Sequence, residues 1–532
     1  VDAGTQQARG TAGAASDDEP AAWPLDARAR ALAVVRAVRP VAPAVHRVLA
    51  AHNAGLAPSA ARDAHVEALG RGAAAVVTGQ QVGLFLGPLY TIYKAASAVV
   101  LARALAAETG APVVPVFWLQ NEDHDLPEIA SLGVPTATCC ESITAPVDAD
   151  NRISIAHRTL PDEVAGCLDR LGDTLGAGPL AQAHLERLRR HYRAGVTWAA
   201  AFAGVLGELF APEGLVVLDP RDPALAALAA PIHARALEQA GPIAAALVER
   251  ARALETAGRP VPVHVRPGAP LSFYHPDGAL GPRVRLEPAG DDAFAEVGSG
   301  RIHTRAALLA ELARDPRRFS TSALLRPIVQ DTVLPTVAYV GGPTEVAYFA
   351  QLGPLYRAFG LALPLAVPRA RFRIVDARTR KLLDRLGLTA RDAELSEAAL
   401  LARLRSPGIE RGGAAEIDAR LRAPFVAAHG ELAAVLADAG PEVSRALART
   451  RGSVERAIGK LAAKVERTRL YADAERVAAV RRLRAMLAPD GAPQERVLGL
   501  AGLAARLGDR AVIERVLAAI DPFDPTLKEL VE

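Results

Sequence analysis

Lysine is nearly absent from this chain. Of its 62 lysines and arginines only Lys94, Lys381, Lys460, Lys464 and Lys528 are lysine, which leaves 57 arginines. A chain that uses arginine wherever a cation will serve marks Lys94, alone in the first 380 residues, as a place needing a compact ammonium where a planar guanidinium would not fit. Cysteine is scarce too. Cys139, Cys140 and Cys167 form neither an even disulfide set nor a CxxC pair, and adjacent cysteines bridge only with strain, so the reading is reduced, buried thiols and no redox or metal centre. Half of the residues are apolar, yet Gly, Pro and charged clusters interrupt every run before the ~18 apolar residues of a membrane span. The net charge is +3 with no block of basic residues, which argues against a nucleic-acid partner. The opening VDAGTQQARGTAGAASDDEP has neither a basic n-region nor an apolar h-region. It reads as a disordered tail over 1–24 of a soluble, cytoplasmic protein.

What is present is the alternation of an α/β enzyme. A length of 532 residues predicts two to four domains, because single cores stop growing at about 250–300 residues. Leu25 to Leu69 is Ala- and Arg-rich with helical spacing. Ala73–Val77 then reads as a strand, Thr78–Gly87 as a glycine-bearing loop, and Pro88 to Glu108 as a helix. Val113–Leu119 is a buried strand ending in Gln120-Asn-Glu-Asp-His-Asp125. Strand, helix, strand at this length is a βαβ unit of a parallel sheet. The text from 136 to 318 is less regular, with helix over Ala181–Phe210, a strand at Leu215–Leu218 and strand candidates around Val261–Leu286; it reads as an inserted α/β region. Strand-like runs return at Ala323–Val329 and Val337–Val340, followed by Gly341-Gly-Pro343 and a helix to about Phe359. The expected scheme is therefore a parallel-sheet core over 25–135 and 319–375, split by the 136–318 insertion, then a helical domain over 376–490 and a C-terminal helical segment over 491–532. Val443, Leu447, Val454, Ile458, Leu461 and Val465 follow a heptad seam, which suits an intramolecular hairpin as well as a dimer.

Ligands of open parallel sheets bind beyond the carboxyl ends of the strands. Three polar clusters fall there. Thr78-Gly-Gln-Gln-Val-Gly83 has glycines that permit close backbone approach and precedes a helix whose N–H groups and dipole favour an anion; Tyr90 and Lys94 share the face of that helix. Glu122-Asp-His-Asp125 sets carboxylates around one imidazole, suited to proton transfer; His124 lacks the partner histidine of most zinc sites. The third runs from Arg326 through Gln330-Asp331 to Gly341-Gly-Pro-Thr-Glu345, with Tyr348 and Gln351 one and two turns on.

The strings TGQQVGLFLGPLYTIYK, PVFWLQNEDHDLPEI, LLRPIVQDTVLPTVAYVGGPTEVAYFAQLGPLY and PQERVLGL, in this order, resemble the cysteine-adding enzymes of bacillithiol biosynthesis, the BshC family. The resemblance covers most of the chain from about residue 70. It implies a Rossmann-like core related to class I nucleotidyl-transferases, connecting insertions, and a helical coiled-coil domain that mediates homodimers. It also implies joining the carboxyl of L-cysteine to the amine of glucosaminyl-malate, with ATP or another nucleotide as the expected energy source and no metal beyond a nucleotide-bound Mg. Neither HIGH nor KMSKS occurs here. An adenylate-forming amide ligase or nucleotidyl-transferase acting on another carboxylate is the alternative within the same core, and a non-enzymatic coiled-coil scaffold the alternative outside it. Residues and resemblance together assign Gly79, Gln80, Gln81 and Gly83 to cradling a substrate anion, beside Tyr90. Lys94 would neutralise developing negative charge, and His124 with Glu122 and Asp125 would handle protons or the amine. Arg326, Asp331, Gly342, Glu345 and Tyr348 would hold cysteine or the sugar.

Overall fold

The computed structural model describes residue 35 and residues 38–136, 139–148, 152–404, 413–524 and 526–531. The expected tail lies outside the described residues. Contacts divide the chain into two units: residues 1–134, 142–373 and 495–530 form the first, and 135–141, 374–494 and 531–532 the second.

In the first unit ten strands make two sheets. Strands β1 (Ala74–Gln81), β2 (Val113–Gln120) and β3 (Val216–Leu218) precede a run of five, β4 (Ser272–Tyr274), β5 (Val284–Pro288), β6 (Ala293–Glu296), β7 (Ile302–Thr304) and β8 (Phe319–Thr321). β9 (Thr336–Gly341) and β10 (Leu365–Pro368) follow. The first sheet is parallel in the order β10-β9-β1-β2-β3, and the second is antiparallel in the order β8-β4-β5-β6-β7. The apolar runs over residues 74–77 of β1 and 113–119 of β2 follow from burial on both faces, and each strand turns polar at its carboxyl end, at Gln80, Gln81 and Gln120. Helix α1 (Tyr90–Thr109) covers one face and is rich in alanine, so it lies close against β1 and β2; Gly110, at φ 68°, ends it by taking the left-handed cap position. The helices Pro43–Ala54 and Ala60–Gly70 pack on the other face. β1 has β2 on one side and β9 on the other, so the direction of winding reverses beside it. That places a crevice at its carboxyl end.

Several sequence expectations change. Ala323–Val329 is not a strand: helix α2 (Arg326–Val333) begins within it, with Pro327 in its first turn. A short buried apolar run has no period that separates strand from helix, and proline at a helix start decides it. Leu215–Leu218 is not sequestered in an insertion, since β3 joins the parallel sheet beside β2. The helical stretches expected over Ala181–Phe210 are the helices Pro179–His191 and Trp198–Leu209, whereas Val261–Val265, within the strand candidates, lies outside any strand. Of the three cysteines, all free, Cys167 alone is buried; Cys139 is exposed and Cys140 half-buried, contrary to the expectation of buried thiols.

The second unit is helical. Its principal elements are α4 (Ala423–Val435), α5 (Pro441–Leu470) and the helix Ala474–Leu487; α4 and α5 follow the numbering set by α3 (Pro343–Phe349) in the first unit. The heptad positions lie on α5, where Ile458 is buried and Leu461 exposed. Gln494 clasps the two ends of this unit: its amide donates to Ile374 O at 2.9 Å and Met486 O at 2.8 Å, and its oxygen accepts from Ile374 N at 2.8 Å. No helix among the described residues is long and apolar enough to cross a membrane.

Candidate active site

At the carboxyl end of the parallel sheet a cavity of about 690 Å³ opens in the first unit. β1 supplies Gln80 and Gln81, α1 supplies Tyr90 and Lys94, and the turn after β9 supplies Gly342 and Glu345. Arg326 and Tyr348 complete this wall. The antiparallel sheet faces it with Phe273, Arg283, Arg285 and Thr321.

Lys94 is almost wholly buried, 3% exposed, and its ammonium uses all three donors. It donates to Gly79 O at 2.8 Å and Gln80 Oε1 at 2.9 Å, and forms an ion pair with Glu345. Burial lowers the Lys94 pKa and the Glu345 carboxylate opposes that fall. Burial would raise Glu345, but the Lys94 ammonium, the Tyr339 hydroxyl and the Gly342 amide hold its pKa below the usual value. Tyr339 Oη donates to Glu345 Oε1 at 2.6 Å and the Gly342 amide to Oε2 at 2.8 Å. A side-chain β-carbon on Gly79 would stand 2.7 Å from Trp118 O, so only glycine lets β1 approach β2 while turning its carbonyl to Lys94.

The loop after β1 is closed where the sequence suggested an open anion cradle. Phe85, Leu86 and Gly87 occupy consecutive positive φ angles of 50°, 72° and 66°. The amides of Gly83, Leu86, Gly87 and Leu89 donate respectively to Gln81 O, Tyr192 Oη, Leu84 O and Leu498 O. Tyr192 Oη in turn donates to Gly83 O at 3.0 Å. Gly79 and Gly83 therefore act on shape and do not line the cavity.

In the second cluster the side chains diverge. Glu122 lines the cavity but is tied to β8, accepting from the Thr321 hydroxyl and, at 3.3 Å, from the Thr321 amide. Asp125 caps the short helix Leu126–Ile129, and neither it nor His124 lines the cavity. Their neighbours do. Asp123 lies 3.3 Å from the buried Arg283 guanidinium; against burial, the bond from His124 and the Arg283 charge hold its carboxyl well below the usual range. Glu128, which accepts from Gln81 Nε2 at 2.9 Å, has its pKa raised by desolvation, with the Asp125 and Asp123 charges adding to the rise and the Gln81 bond opposing it. Asp331 lies away from the cavity, half-buried at the amino edge of the sheet. Gln351 is likewise spent on the backbone of Val263.

Sequence reasoning missed Glu128, Arg283, Arg285, Arg369 and Arg496, and placed Asp123 in the second cluster without giving it a role. Arg369 is neutralised by a bidentate pair with Glu495, both distances 2.8 Å. Arg496 and Arg285 are exposed, line the cavity, and make no ion pair among the described residues. The PQERVLGL string could have pointed to Arg496, since it ends in a segment stapled to the site: Leu89 N donates to Leu498 O at 2.8 Å, and Gly499 bridges Pro88. Among the described residues no cluster of three or more His, Cys, Asp or Glu could hold a metal.

Comparison with known proteins agrees with this geometry. Residues 29–370 match the family described as bacillithiol biosynthesis BshC, N-terminal Rossmann-like domain, and residues 372–530 its C-terminal coiled-coil domain. Proteins named "Putative cysteine ligase BshC" from Salinibacter ruber and Koribacter versatilis are each 40% identical, over 60% and 64% of this chain and 57% and 62% of their own lengths. One of the same name from Solibacter usitatus is 34% identical over 82% of this chain and 80% of its own. The chain thus spans about three-fifths of the first two relatives it matches and four-fifths of the third. With both domains matched in order and the cavity at the switch point of the parallel sheet, the chain belongs to the bacillithiol-biosynthesis BshC family.

Proposed function

We propose that the chain is a cytoplasmic cysteine ligase that joins the carboxyl of L-cysteine to the amine of glucosaminyl-malate. The observation that carries this reading is the charge layout of the cavity: two cations without ion-pair partners, Arg285 and Arg496, open into the same space as two carboxyls poised differently, Asp123 and Glu128. A substrate bearing carboxylates and an amine matches that layout. Arg285 and Arg496 take substrate carboxylates as charge-assisted hydrogen bonds. Asp123 stays ionised and holds the sugar ammonium; Glu128, whose proton affinity is raised, accepts the proton that the amine must lose before it attacks the cysteine carboxyl. Lys94, with its donors saturated, keeps Glu345, Gln80 and the carboxyl end of β1 in place.

The cysteine carboxyl needs a leaving group before an amide can form. A nucleotide phosphate would seek free amides at a helix N-terminus, but the Gly83, Leu86, Gly87 and Leu89 amides before α1 are engaged and the Gly342 amide is taken by Glu345. Those five amides are closed to a phosphate, so an activating co-substrate such as ATP, which supplies the leaving group for the cysteine carboxyl, would have to be held by other groups of the cavity. The test is to incubate the protein with L-cysteine and glucosaminyl-malate, with and without ATP, and follow products by mass spectrometry. Bacillithiol is expected; an amide of another carboxylate, or no product under either condition, would refute the assignment.

Two copies pair through the helical unit in this reading. Leu461 of the heptad seam on α5, and Leu432 and Val435 on α4, are exposed apolar residues. Light scattering should show a dimer that Leu432→Glu with Leu461→Glu converts to monomer.

A further inference from the structure

Arg326 is a buried cation with no ion pair among the described residues. Its two terminal nitrogens donate to Tyr348 Oη at 2.6 Å and to Gln330 Oε1 at 2.8 Å, and its guanidinium carbon stands 4.9 Å from the centre of the Tyr339 ring. Gln330, wholly buried on the next turn of α2, hands the contact on: its Nε2 donates to Asp331 Oδ1 at 2.8 Å. The Tyr356 hydroxyl donates to the other Asp331 oxygen. A continuous line of hydrogen bonds therefore runs from the cavity wall, through α2, to a carboxyl at the opposite edge of the sheet.

We propose that Asp331 is a positioning residue for the cavity, its ionisation setting which way the Gln330 amide faces and so whether Arg326 has an acceptor. This rests on reading the cavity as the active site. An ionised carboxylate only accepts, so it requires the NH₂ of Gln330 and leaves the amide oxygen to Arg326. A protonated Asp331 carries a donor of its own. The amide then gains by turning over, which sets its NH₂ against the guanidinium and leaves a buried N–H of Arg326 unpaired. The groups facing Asp331 are Arg326 and Gln330 from its own helix, Tyr356 from the helix Gly353–Phe359, Thr336 from β9, and the exposed Arg39 across a second cavity of about 530 Å³. Burial pushes the Asp331 carboxyl up to about 6, against the bonds from Tyr356 and Gln330 and the charge of Arg326. The carboxylate form, and the arrangement described here, thus belong to pH above that value.

The experiment is the pH dependence of kcat for cysteine addition. The unmodified protein should lose activity on the acid side with a midpoint near 6. Asp331→Asn keeps an acceptor for Gln330 but cannot ionise, so that limb should vanish from its profile; the same limb in the variant would overturn the proposal. Tyr356→Phe removes one stabilising donor from the carboxylate, so its limb should move to higher pH; an unmoved limb would count equally against the relay. Gln330→Leu should lower kcat about tenfold or more at every pH, with KM less affected. A readout independent of activity is the Arg326 side-chain ¹⁵N resonance, assigned through Arg326→Lys. It should titrate near pH 6 in the unmodified protein and not in Asp331→Asn. Titration without any cysteine addition would refute the ligase reading alone, and cysteine addition with a static Arg326 resonance would refute the relay alone.

Discussion

The two sides of the cavity hold their charges in opposite ways. On the side built from β1, α1, α2 and the turn after β9, Lys94 is matched by three oxygens and Arg326 by a hydroxyl and an amide, while Arg369, just after β10, is matched by the Glu495 carboxylate. On the side built from β5 and the 495–499 segment, Arg285 and Arg496 are exposed and unmatched. A saturated buried cation cannot bind substrate without first breaking internal bonds, whereas an unmatched one needs only to shed water. In the proposed reading the difference separates framework groups from those offered to substrate, although both are made of the same residue types.

The largest break in this contrast should come from Lys94→Met. It leaves Glu345 enclosed without its counter-charge, a loss of about 3–5 kcal/mol in urea unfolding, with cysteine addition abolished. Adding Glu345→Gln to that variant should restore part of the stability but none of the activity. Lys94→Arg should also lose activity, because a planar guanidinium cannot reach the Gly79, Gln80 and Glu345 oxygens together; an arginine variant working at the unmodified rate would end the argument from lysine scarcity. Arg496→Gln is the opposite case. Its KM for glucosaminyl-malate should rise about 10–100-fold, as expected for a lost charge-assisted bond, while the unfolding midpoint stays within about 0.5 kcal/mol of the original. The smallest effect sharpens the framework side: Tyr339→Phe removes one donor to Glu345 and should cost about 1 kcal/mol of stability, with KM unchanged.

Much of the framework side was legible in the sequence because it consists of local signals: an apolar run, a glycine or polar turn, then a helix. Gln80 sits at a strand end and Tyr90, Lys94, Glu345 and Tyr348 in the first two turns of the helix that follows one, and the structure brings them to one cavity. The ligand-binding side was not legible. Arg285 reaches the cavity only because an antiparallel sheet encoded between β3 and β9 lies across the crevice, and Arg496 only because the chain returns there after the helical unit. No local period records such returns. Asp331 fails for a subtler reason: it is adjacent to Gln330 in sequence, but about 100° of helix rotation turns it to the other side of α2. His124 and Asp125 leave the cavity to Asp123 and Glu128 because the chain turns after β2 and Asp125 is consumed as a helix cap.

The stapling of residues 495–499 also fixes when the site can exist. During synthesis, the Rossmann-like core emerges first and the helical unit second; Glu495 and Arg496 leave the ribosome only after both. Until then Arg369 has no carboxylate to neutralise it, the Leu89 amide has no acceptor in Leu498, and the cavity lacks one of its two unmatched cations. A nascent or truncated chain that stops short of Glu495 can hold a nearly complete sheet and still have no finished site, because the site is closed by a segment encoded after the helical unit.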